Sequence, residues 1–187
     1  MLPIVVQLNF CLALGAIALQ FASLAGIILI LAELISKKAN LASYFAGNLA
    51  MPLALLFSFG ASVMTLVYSE AFGFIPCGLC WFERIALYPT VVVSAAALFM
   101  RDHVHARIYL IVLSICGAIV SLYHHYLQMG GSEVVTCPST GVSCAQRILF
   151  EFNYVTYPLV AFSLFAFIIV ILLVQITHER VGSRMLA

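Results

Sequence analysis

The chain has 187 residues, of which 65% are hydrophobic and only 8% charged, against roughly a quarter charged in an average soluble domain. That apolar load exceeds what one soluble core absorbs and belongs in a bilayer, where each crossing must close its backbone hydrogen bonds internally as a helix. A formal net charge of +1 gives no footing for nucleic-acid binding.

A crossing needs about 20 mainly apolar residues. Five stretches qualify, at roughly 7–35, 43–69, 81–100, 107–129 and 154–177. The expected fold is therefore all-α: one transmembrane domain, 1–187, with five spans. Met1 to Phe10 carries no Lys or Arg, unlike the cationic start of a cleavable signal peptide, so the first stretch is expected to be a permanent span. Positive charge in short loops marks the cytoplasmic side. Lys37, Lys38, Arg101, Arg107, Arg180 and Arg184 fall on one side, with Arg84 and Arg147 on the other. The N-terminus and the loops at 70–80 and 130–153 are thus expected outside, and the tail from His178 inside.

Six cysteines occur. Cys11 and Cys116 sit within apolar helices and read as small buried hydrophobes. The other four lie in or beside the two outside loops, where an oxidising compartment permits disulfides. Cys77 and Cys80 form a C-x-x-C where the first of these loops meets the third helix. A helix start stabilises a thiolate through its unsatisfied N–H groups, and Arg84 stands four residues beyond Cys80, one turn deeper on the same face. A charge so placed at a membrane boundary marks a functional site; the plainer reading has it snorkel to headgroups or pair with Glu83.

Cys137 and Cys144 enclose six residues of polar, turn-forming loop. A bridge between them would close a small exposed ring, of the labile kind that exchanges with a soluble partner, or else act as a structural staple. The second spacing does not complete a closed zinc site. Trp81 stands where covalent haem would require histidine. His124 and His125 end the fourth helix and point about 100° apart, so they cannot serve one small site equally.

The run Pro76-Cys77-Gly78-Leu79-Cys80-Trp81-Phe82-Glu83-Arg84 resembles the P-C-x-L-C-x-x-E/Q-R signature of the disulfide-bond-formation protein B family, DsbB/BdbC. Tyr123-His124 with Leu127-Gln128, and Cys144-Ala145-Gln146-Arg147, extend the agreement, and the similarity covers about 43–177. The resemblance implies a four-helix bundle that takes electrons from a soluble DsbA-like thioredoxin-fold partner and passes them to membrane quinone, ubiquinone or menaquinone, in a bacterial inner membrane. It makes Cys77 and Cys80 the quinone-proximal pair, with Cys80 the thiolate nearest the ring, Arg84 and His124 quinone contacts, and Cys137 and Cys144 the shuttle pair, Cys137 forming the mixed disulfide. Residues 1–40 add a helix before the usual four. The short second loop is similar to the BdbC-like branch. Two other classes compete: a transmembrane carrier of thiol reductant, which would need a cysteine pair reachable from both sides, and a soft-metal carrier with disulfide-stapled loops.

Overall fold

The computed structural model describes residues 3–37, 41–134, 137 and 142–186, with residues 41 and 184–186 by backbone alone. Lys38 and the ring residues 138–141 fall outside that set, as does the side chain of Arg184. Five helices form: α1 (Pro3–Ser36), α2 (Leu41–Leu66), α3 (Gly78–Met100), α4 (His103–Gln128) and α5 (Tyr157–Leu186). All five are long and apolar enough to cross a membrane.

The helices α1, α3 and α4 start three or four residues before the expected 7, 81 and 107, and three further features differ from the sequence reading. The α5 helix runs through the expected tail, because His178, Glu179 and Arg180 all suit a helix and no Pro or Gly cap stops it earlier. The α2 helix loosens at its end into a five-residue π-helical turn, Val67–Ala71, before Gly73 turns the chain with φ 70°. The second cysteine loop carries a small antiparallel hairpin, β1 (Phe150–Glu151) and β2 (Val155–Thr156), turned through positive φ at Phe152 and Asn153. Strands this short offer too few alternating positions to be read from a sequence.

Helix α5 is the hub, packed against α1, α2 and α4, while α3 bridges α2 and α4. Leu110, Phe165, Ile168 and Leu172 form the centre of the packing. Close approach depends on absent side chains: Gly117 admits the ring of Phe165, and a Cβ on Gly26 of α1 would meet Val170 of α5 at 2.5 Å. Elsewhere the helices turn apolar faces outward, with Phe21, Ile35, Phe99 and Val92 strongly exposed, as bilayer-solvated surfaces do.

Polar bonds tie each end of the bundle. At one end Arg107 pairs with Glu179 at 2.7 Å and the buried Glu33 of α1 meets His178 at 3.1 Å. At the other, Asn9 of α1 donates to Ile148 O at 3.1 Å and accepts from the Tyr68 hydroxyl. The first end gathers Arg101, Arg107 and Arg180; the second carries the cysteine pairs. Cys11 and Cys116 are not buried as expected. Both are exposed on helix faces, where lipid rather than protein solvates a small thiol.

Candidate functional site

Helix α3 begins at Gly78, which makes Cys77 its N-cap, with extended backbone and its sulfur accepting from Cys80 N at 3.3 Å. The helix-start stabilisation expected for the C-x-x-C therefore falls on Cys77. A hydrogen bond from the Cys80 thiol pulls the Cys77 thiol down to about 4 against the opposing effect of burial, and His124 adds to the lowering. The two sulfurs lie 2.7 Å apart.

His124 is 1% exposed and occupies the middle of the site. Its Nε2 lies 3.1 Å from Cys144 O and 3.6 Å from Cys77 Sγ, while Nδ1 lies 3.0 Å from Glu83 Oε1. A carbonyl only accepts, so Nε2 carries a hydrogen. The imidazole thus joins an acid on α3, the first cysteine pair and the backbone of the second. His125 turns away and bonds Thr156 Oγ1 at 2.8 Å, as the angle between adjacent helical residues requires.

Cys137 and Cys144 are bonded, with Cα atoms 6.2 Å apart. Their ring is less exposed than its polar sequence implies. Cys144 is fully buried in one cluster with Cys77, Leu79 and Leu127, whereas Cys137 is half-buried. Only the Cys137 side of the bridge is open to an incoming thiolate.

Arg84 is 8% exposed and does not snorkel. One terminal nitrogen donates to Thr65 O of α2 at 2.7 Å, and the guanidinium lies over Trp81 with 5.2 Å to the ring centroid. Glu83 serves His124 rather than Arg84, which removes the local-pair reading. Cys77, Cys80, Arg84, Glu83, His124 and Gln128 share a cavity of about 320 Å³ whose remaining walls are mostly apolar side chains of α1, α2 and α5. Gln128, 5% exposed, donates to Gln146 O, and its Oε1 has no hydrogen-bond partner among the described residues. A flat, apolar ring with polar oxygens fits such a space: the guanidinium supplies donors to a ring carbonyl, and the Gln128 oxygen accepts only where the ring bears a hydroxyl.

Gln128 received no role from the sequence and Glu83 only that of a local partner for Arg84, although both fall within the quoted motifs. Neither did α1, whose Cys11, Leu12 and Gly15 line the cavity. The donor atoms of Cys77, Cys80 and His124 also lie within 4.8 Å of one another, a proximity that chain spacing did not foresee. Two thiolates on one zinc ion would stand roughly 3.8 Å apart, given tetrahedral bonds near 2.3 Å; the sulfurs here are closer, at 2.7 Å, which suits a pair poised to bond to each other.

The model of the family described as disulfide bond formation protein DsbB matches residues 47–177, well over half of the chain. The chain belongs to the DsbB family. Among curated relatives, the SPbeta prophage-derived disulfide bond formation protein B of Bacillus subtilis (strain 168) is 34% identical over 116 residues, 62% of this chain and 78% of that protein. Disulfide bond formation protein C of the same strain is 37% identical over 114 residues, 60% of this chain and 80% of its own length. A probable disulfide formation protein of Metapseudomonas resinovorans is 34% identical, covering 64% of this chain and 83% of that protein. No solved structure matches. This DsbB-family chain is thus a multi-pass membrane thiol oxidoreductase of disulfide formation, and α1 lies outside the stretch matched to the family.

Proposed function

We propose that this protein is a thiol oxidase of a bacterial inner membrane, which reoxidises an extracytoplasmic DsbA-like thioredoxin-fold disulfide donor and passes the electrons to membrane quinone, ubiquinone or menaquinone. The observation that carries the reading is His124, in contact with Cys77 and with the backbone of Cys144, at the wall of an apolar cavity that also holds Arg84. Two disulfide-forming pairs joined to an apolar chamber make a relay from a soluble partner to a lipid-soluble acceptor. The charge asymmetry supports a topology with both pairs outside and the end bearing Lys37, Arg101 and Arg180 cytoplasmic.

The thiol steps balance as follows. A partner thiolate attacks the accessible Cys137 sulfur, the Cys137–Cys144 bond breaks, and Cys144 leaves as thiolate. Cys144, buried beside Cys77, attacks that sulfur in the Cys77–Cys80 disulfide and releases the Cys80 thiolate. The partner's second thiolate displaces Cys137, which then attacks Cys144, closes the shuttle bridge again and frees Cys77. The partner leaves oxidised and the C-x-x-C reduced. With Cys77 engaged in exchange, Cys80 is the free thiolate, one turn above Arg84, which is the role the family resemblance gives it. A bound quinone supplies the oxidising equivalent, taking up two electrons and two protons. Arg84 offers directed donors where negative charge grows, and Glu83–His124 holds a proton at the sulfur of Cys77.

The test mixes purified protein, a quinone and a reduced thioredoxin-fold partner and follows quinone absorbance. One quinone reduced per partner disulfide formed is expected; no partner-dependent reduction with either quinone class would overturn the reading.

A further inference from the structure

The cavity is longer than a reactive head group requires. Its lining runs from Cys11 to Leu19 on α1 and from Thr65 to Leu56 on α2, lengths of about 12 and 14 Å at the helical rise per residue. These two walls scarcely meet, because α1 packs along α5 while α2 packs on α3 and α5. Gly15 and Gly60 line the cavity from opposite walls. Both are exposed, and among the described residues a Cβ built on either meets nothing within 4 Å. Further along the same helix Gly26 is tight against Val170, so α1 closes on α5 at one level and leaves a gap towards α2 at another. At the head of the cavity the buried Gln128 keeps an acceptor without a partner among the described residues, a state that costs free energy until a ligand hydroxyl or water fills it.

We propose that the slot between α1 and α2 is the binding site for the prenyl tail of the membrane quinone, open to lipid past Gly15 and Gly60, with the ring at the Cys80 and Arg84 end. This rests on the quinone reading above and adds a second subsite to it. The slot walls, including Leu12, Leu19, Leu56, Phe57 and Met64, carry no charge, so an unbranched polar chain would lose its hydration there while a hydrocarbon chain gains burial. One wall is the N-terminal helix beyond the family match, so this chain makes its own tail site.

Trp81 is the sole tryptophan of the chain and stacks on Arg84, so quenching of its fluorescence reads binding without turnover. The purified protein is titrated with a long-tailed quinone and with its tail-less ring analogue, alongside Gly15→Leu, Gly60→Leu and the double variant. The ratio of the two affinities should fall about tenfold in the double variant; an unchanged ratio, or equal loss for both ligands, overturns the tail slot. A photoreactive group at the tail of a quinone gives a readout on the unsubstituted protein. Label in 11–19 and 56–64 is expected, and label confined to α3 and α4 overturns the proposal. If wild type binds neither ligand, the quinone reading falls with it, whereas failure of the slot alone leaves tail-less binding intact.

Discussion

Arg84 stands at a buried boundary between a redox pair and an apolar chamber, where a positive charge has high energetic weight. Its planar fork makes Lys a poor substitute, since a point charge loses both the Thr65 bond and the aim of the remaining donors. Arg84→Lys should weaken apparent quinone affinity and Arg84→Ala should weaken it by roughly ten- to a hundredfold, the range of about 1.5–3 kcal/mol for hydrogen bonds to charged groups. Single-turnover exchange of Cys137 and Cys144 with the partner should persist, and an unchanged quinone dependence in Arg84→Ala would return the residue to a packing role. The Cys77 thiol gives a pH test. A hydrogen bond from the Cys80 thiol, helped by His124 and the N-cap bond from Cys80 N, lowers it to about 4, against about 8.5 for a free thiol. In the reduced protein the ultraviolet absorbance of one thiolate should therefore be present at neutral pH and lost only as pH falls through about 4. Because the charged form is favoured in the folded protein, this stabilisation of the dithiol is fully present above the free-thiol value and disappears on acidification. His124→Ala should move the midpoint upward; a titration unmoved by that change would remove His124 from the thiol chemistry.

Among the elements, α1 is the one whose presence hydropathy revealed and whose purpose it did not. Its apolar run makes a span legible, but the polar residues that fix it, Asn9 to Ile148 and Tyr68, and Gln20 to Ser163 at 3.0 Å, are pairs separated by many residues and carry no periodic signal. Asn9→Ala would leave a buried carbonyl and a buried phenol each short of a partner, costing about 1–3 kcal/mol. The thermal midpoint of the detergent-solubilised protein should drop, and an undiminished midpoint would show that α1 is held by apolar packing alone. The C-x-x-C at the head of α3 was readable because composition changes sharply there. Which of its sulfurs takes the cap position was not, because a one-residue shift of the helix start transfers the role from one cysteine to the other. The burial of Cys144 was hidden for a related reason: its neighbours in sequence are polar, while its neighbours in space, Cys77 and Leu127, come from α3 and α4.

At the scale of the whole molecule, five alternating spans put the arginine-bearing helix ends opposite the cysteines. This arrangement gives the proposed relay its direction, from an outside thiol to an acceptor in the lipid. An impermeant thiol reagent applied to intact cells after reduction should reach Cys137, and labelling instead of a cysteine introduced beside Arg101 would invert the topology. Two pairs with distinct tasks are the central claim, and selective breakage tests it most directly. Quinone reduction is measured by absorbance in Cys137→Ser and Cys80→Ser proteins, driven in one series by the reduced thioredoxin-fold partner and in the other by a small dithiol. The account predicts that Cys137→Ser loses partner-driven reduction while retaining a substantial part of the dithiol-driven rate, and that Cys80→Ser loses both. Abolition of dithiol-driven reduction in Cys137→Ser as complete as in Cys80→Ser would contradict it.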